Sequence, residues 1–132
     1  RKIRLNNGKE ILLTDTVGFI QKLPTTLVAA FRATLEEAEE ADLLVHVSDI
    51  SHQNRYEHCY AVNEVLQNLG LIGKPKIGAL NKIDLLPKDY EAYGDPSLIN
   101  LMDQFSQTVF CSAETGFGIE ELINAIGKRV FQ

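Results

Sequence analysis

Two spacings of apolar residues alternate along this chain. Short runs that are apolar throughout, or that alternate with polar residues, occur at 1–5, 10–14, 43–48, 76–80 and 108–111 and read as strands. Between and after them apolar residues recur three and four apart, which predicts helices over 26–40 (Leu27, Phe31, Leu35 and Ala38 on one face), 55–69 (Cys59, Val62, Leu66, Leu69), 97–105 and 119–131 (Ile119, Leu122, Ile123, Ile126, Val130). The punctuation agrees with this reading. Asn6-Asn7-Gly8-Lys9 is a hairpin signal between the first two strands, Gly70 stops the second helix, and Pro87, Gly94 and Pro96 mark a loop. Strands alternating with helices predict an α/β fold in three layers, a mostly parallel sheet with helices on both faces and one antiparallel edge strand from the hairpin. A length of 132 residues predicts one domain over 1–132, without internal repeat or linker.

Composition narrows the function without choosing it. Hydrophobic residues make up 45% and charged residues 23%, as in an ordinary globular chain. No run is long enough to span a membrane, so no membrane partner is expected; the expected compartment is the cytoplasm, or an organelle if a targeting segment has been lost. A formal net charge of −5 argues against a nucleic-acid-binding surface on this region alone. Cys59 and Cys111 lack metal-type spacing and make no cluster with His46, His52 or His58, so packed, reduced thiols are expected.

Chemistry concentrates at three strand ends, where open α/β sheets bind ligands. Asn81-Lys82-Ile83-Asp84 follows the 76–80 strand. The carboxylate of Asp84 can accept both the N1 proton and the exocyclic amine of guanine, a charge-assisted pair that adenine does not offer. Asn81 can hold the loop, and the aliphatic stem of Lys82 can lie along the ring with its ammonium in water. Ser112-Ala113 follows the 108–111 strand, where a small residue lets a backbone N–H approach the guanine oxygen. Asp15-Thr16-Val17-Gly18 closes the 10–14 strand: Asp15 can hold Mg²⁺ through water, and Gly18 can bring its N–H to a terminal phosphate oxygen. Each motif alone is also an ordinary turn, since Asn, Asp and Gly favour turns for their own reasons; the three in this order point to GTP or GDP with Mg²⁺.

The block from Asp15 through Gly18-Phe19-Ile20-Gln21-Lys22-Leu23-Pro24 to Glu37 closely resembles the switch II region of HflX-type GTPases, and 42–49 and 111–116 are similar to the same family. The resemblance implies a P-loop GTPase domain, with Asp15 at the Mg²⁺ site, Gly18 at the γ-phosphate, Thr16 and Val17 between them in the same GTP-binding motif, Asn81, Lys82 and Asp84 at the base, and Ser112 and Ala113 in the base-contacting loop. For the parent protein it implies the large ribosomal subunit as partner. Phe19 stands where Ras-type enzymes carry a water-orienting glutamine, so that group is expected elsewhere.

The family's phosphate loop, Gly-x-x-x-x-Gly-Lys-Ser/Thr, has no counterpart here. Gly8-Lys9, Gly73-Lys74 and Gly127-Lys128 lack the flanking residues. With no initiating Met either, the expectation is an N-terminally truncated GTPase domain, without the first strand, the phosphate loop and the switch I threonine. That strand would sit mid-sheet, between the strands ending at Asp15 and Ser48. A gap there predicts unpaired strand edges, each buried unsatisfied group costing roughly 1–3 kcal/mol, and hence an upstream segment or self-association. Two functional readings follow: a GTPase that hydrolyses GTP in the intact parent, or a non-catalytic base-binding or interaction module.

Overall fold

The computed structural model describes residues 1–15, 36, 38–91 and 94–131. Its strands are β1 (Lys2–Arg4), β2 (Glu10–Leu12), β3 (Leu44–Asp49), β4 (Lys76–Asn81) and β5 (Gln107–Phe110). The helices are α1 (Arg55–Asn68), α2 (Pro96–Met102) and α3 (Ile119–Val130), with a 3₁₀ turn at Ile83–Leu85. Glu36 and residues 38–40 are helical; the rest of the helix expected over 26–40 lies outside the described residues.

The strands form two ladders. β1 and β2 pair antiparallel, with Ile3 opposite Ile11, and β3-β4-β5 form a parallel sheet in that order, with β4 central. Among the described residues β3 has no partner on its outer side, and no ladder joins it to the hairpin. This is where the sequence places a gap, and Val47 on that strand is 61% exposed.

Alternation along β4 divides the core. Leu80 points into a cluster with Ile50, Cys59, Leu98 and Leu101, beneath α1 and α2. Ile77 points the other way, to Val109, Ala125 and Ile126 beneath α3, where Ile11 of the hairpin joins them. Leu5 closes this side by packing on Gly127 of α3. Helices therefore cover both faces of the parallel sheet, as the alternating pattern requires.

α2 ends three residues before its periodicity suggests. Phe105 leaves the helix and lays its ring against Gly78 on β4, so close that a Cβ on Gly78 would meet Phe105 Cδ2 at 2.6 Å. At the other end of α2, Asp95 caps the helix by accepting from Ser97 and Leu98 N–H groups, takes the Tyr90 hydroxyl at 2.6 Å, and pairs with Arg55 of α1. Arg55 also donates to the Ile50 carbonyl at 3.1 Å. The carboxyl ends of β3 and β4 are thereby braced against both helices on that face.

Candidate guanine-recognition site

The three parallel strands end together, and two of the three sequence motifs meet there. β4 stops at Asn81, and the chain turns through Lys82, whose φ of 67° is the one left-handed non-glycine conformation among the described residues. Its neighbours hold the turn: the Asn81 carbonyl accepts from Ile50 N–H at 3.2 Å, and Ile83 N–H donates to the Cys111 carbonyl at 3.2 Å. The 3₁₀ turn that follows presents Asp84 to solvent.

After β5 the chain makes a second tight loop around Ser112, which is fully buried and fully satisfied. Its hydroxyl donates to Asp84 Oδ1 at 2.8 Å and accepts from Thr115 N–H at 3.1 Å; its N–H donates to the Phe117 carbonyl at 2.9 Å and its carbonyl accepts from Gly116 N–H at 2.8 Å. Gly118 permits this closure, with φ 72° and the Phe110 carbonyl oxygen 2.1 Å from where a Cβ would stand. A further strap joins the loops, as Ala113 N–H donates to Asn81 Oδ1 at 3.0 Å.

Between the two loops lies a concavity of about 260 Å³, lined by Asn81, Lys82, Asp84, Leu85, Ser112, Ala113 and Glu114. That is somewhat below the ~300–1,000 Å³ of pockets that engulf whole ligands, a size suited to one base rather than a nucleotide. Its polar inventory matches guanine. Asp84 spends one lone pair of Oδ1 on Ser112 and leaves Oδ2 without a partner among the described residues, and Leu85, 63% exposed, offers an apolar surface. The Ala113 amide is committed to Asn81, whereas Glu114 N–H is engaged by none of the described residues and is the donor left for a carbonyl ligand. Asn81 thus spends its side-chain oxygen on joining the loops.

Lys82 does not stand alone in solvent. Its Nζ pairs with Asp49 Oδ2 at 3.1 Å, at the end of β3, and Asp49 Oδ1 in turn accepts from the Ser51 hydroxyl at 2.6 Å and the Ser51 N–H at 3.0 Å. Partial burial would raise the Asp49 carboxyl, but the Ser51 bonds and the Lys82 ammonium outweigh it and hold the group below its usual range. Sequence reading passed over Asp49, Ser51 and Glu114. An Asp at the end of a buried strand beside the 76–81 strand was the available signal for the first.

The phosphate side is less complete. Asp15 is exposed, three residues beyond β2; Thr16, Val17 and Gly18 lie outside the described residues. Among the described residues no three acidic, histidine or cysteine side chains gather as a metal site. A single exposed carboxylate suits Mg²⁺ only where phosphate oxygens and water complete the shell, which is the ordinary manner of Mg²⁺ at nucleotides.

Comparisons with known proteins identify the family. A family described as "50S ribosome-binding GTPase" matches residues 1–82. The chain is 41% identical over its whole length to the GTPase HflX of Caldanaerobacter subterraneus subsp. tengcongensis and 40% identical over 98% of its length to that of Escherichia coli. It spans only 28% and 29% of those two proteins. A crystal structure of a GTP-binding protein from Sulfolobus solfataricus in complex with GDP superimposes on 99% of the chain with a TM-score of 0.81 at 31% identity, and the chain covers 43% of it.

Proposed function

The chain belongs to the 50S ribosome-binding GTPase family, as an HflX-type GTPase-domain region, and on that premise we propose that the concavity between the Asn81–Asp84 and Ser112–Glu114 loops receives the guanine of GTP and GDP. The observation that carries this reading is the pair of bonds locking the loops together, Ser112 Oγ to Asp84 Oδ1 and Ala113 N–H to Asn81 Oδ1. They preorganise a carboxylate and a free amide on one rim before any ligand arrives, which lowers the ordering cost of binding. Asp84 accepts the N1 and N2 protons of guanine. Glu114 N–H donates to O6, past the small side chain of Ala113, and the stem of Lys82 covers one face of the ring. Adenine presents an amine where guanine has O6 and no proton at N1, so both polar contacts would fail.

The intact protein, in this reading, hydrolyses GTP to GDP and phosphate in the cytoplasm, with the large ribosomal subunit as partner. Asp15 would hold Mg²⁺ through water, and Thr16, Val17 and Gly18, next in sequence, would serve the phosphates. When bound, Mg²⁺ supplies neutralisation of charge on the β- and γ-phosphate oxygens. The chain carries no Gly-x-x-x-x-Gly-Lys-Ser/Thr, so in this reading the grip on the β- and γ-phosphates comes from outside these 132 residues. The outer edge of β3, which pairs with none of the described residues, is suited to accept a further strand, whether from the same polypeptide or from a second copy.

Titration of the intact protein and of this 132-residue chain with fluorescent GDP, with ADP as competitor, tests the reading. Micromolar or tighter binding by the intact protein that ADP does not displace is expected, with much weaker binding by the chain alone. Equal competition by ADP and GDP would refute the guanine assignment.

A further inference from the structure

Lys82 combines three properties that are costly separately: a left-handed backbone on a residue with a side chain, a long flexible stem, and a position on the wall of the base concavity. Such a conformation persists only where its surroundings over-determine it. The peptide groups on either side are tied to Ile50 and Cys111, and the side chain is tied at its far end to Asp49. Asp49 is itself immobilised by two bonds from Ser51 and is two-thirds buried, whereas the Lys82 side chain is half exposed.

We propose that Asp49, held by Ser51, is a positioning residue for guanine recognition: it anchors the ammonium of Lys82 so that the stem stays extended as one wall of the base site. Asp49 does not line the concavity and touches no ligand in this arrangement; it acts through Lys82. The inference rests on the guanine reading above. Without the anchor, the four-carbon stem samples rotamers that leave the ring face open, and binding the base must then order it.

The test is GDP affinity of the intact protein in a double-mutant cycle of Asp49→Asn and Lys82→Met, the Met keeping an unbranched apolar stem without the charge. For a half-exposed ion pair, Asp49→Asn is expected to weaken GDP about three- to five-fold in the wild-type background and to change it less than about 1.5-fold in the Lys82→Met background. Asp49→Glu should recover part of the loss, and Ser51→Ala, which leaves the carboxylate in place, should show a smaller loss that also vanishes with Lys82→Met. A purely structural role for Asp49 predicts equal losses in both backgrounds, and that result, or no loss in either, overturns the proposal. Asp84→Asn separates the two layers. If that variant binds GDP normally, the guanine site itself is misassigned; if it weakens GDP while Asp49→Asn does not, only the role of Asp49 falls.

Discussion

Replacing Asp84 with Asn removes one charge and almost no volume, which makes it the sharpest probe of the base site. In the structure Oδ1 is shared with the Ser112 hydroxyl at 2.8 Å and Oδ2 is open. Guanine brings two donors, N1–H and the N2 amine, and the carboxylate can accept both. An Asn side chain has one acceptor oxygen. If that oxygen faces the base, its amine faces Ser112, whose hydroxyl can rotate and accept instead, so the link between the loops survives but the buried Ser112 hydroxyl proton loses its acceptor. One base contact is then lost and the other becomes an ordinary neutral bond. Hydrogen bonds to charged groups contribute about 1.5–3 kcal/mol against about 1 for neutral ones, so exchanging two of the former for one of the latter should cost at least about 2 kcal/mol. That corresponds to a loss of roughly 30-fold or more in affinity for GDP. ADP offers no protons to this carboxylate and should bind as weakly as before, so the GDP/ADP preference should fall by the same factor. Isothermal titration of the intact protein with both nucleotides measures it, and urea unfolding should show a loss of no more than about 1–3 kcal/mol, the cost of the unpaired Ser112 hydroxyl proton, with the fold retained. A change in the GDP/ADP ratio of less than about three-fold would refute the donor–acceptor matching on which the site rests.

Three further outcomes follow from particular contacts. Gly118→Ala puts a Cβ 2.1 Å from the Phe110 carbonyl oxygen at a φ of 72°, so a loss of about 3 kcal/mol or more is expected in chemical denaturation, with GDP affinity falling in parallel as the Ser112 loop reopens. Gly78→Ala drives a Cβ to 2.6 Å from the Phe105 ring; overpacking should cost about 1–3 kcal/mol by thermal unfolding, and adding Phe105→Leu should recover part of it, since the clash is with a side chain and not with backbone. His46 is lowered to about 4, first by burial and then by the Lys76 charge. Because the unfolded chain takes up this proton near pH 6.5 and the folded one does not until about 4, the stability is present in full above 6.5 and falls as pH drops between those values, by on the order of 3 kcal/mol. Replacing His46 with Gln should flatten that slope in urea titrations at pH 4.5 and pH 7.5, and an unchanged slope would show that another group carries it.

What the sequence determined by itself was everything that depends on neighbours along the chain. Alternating and three-to-four spacing placed β3, β4, α1 and α3 to within a residue or two, because burial of a continuous apolar face is a local pattern that any packed partner will satisfy. Asn6-Asn7-Gly8-Lys9 set the antiparallel hairpin, and the two loops holding Asn81, Lys82, Asp84, Ser112 and Ala113 were legible as the ends of the 76–80 and 108–111 strands, which the structure brings together. Tertiary structure alone decided how these residues divide the work. Asn81 spends its side chain on the Ala113 amide, Ser112 orients Asp84, and Asp49, on a strand 32 residues earlier than Asn81, holds Lys82. No spacing rule encodes those partners, since they arise from the parallel register that sets Asp49 beside Asn81 and Leu80 beside Phe110. The early end of α2 has the same origin: helical periodicity runs on to Phe105, but the vacant face of Gly78, on another strand, gives that ring a closer-packed place than one more helical turn would.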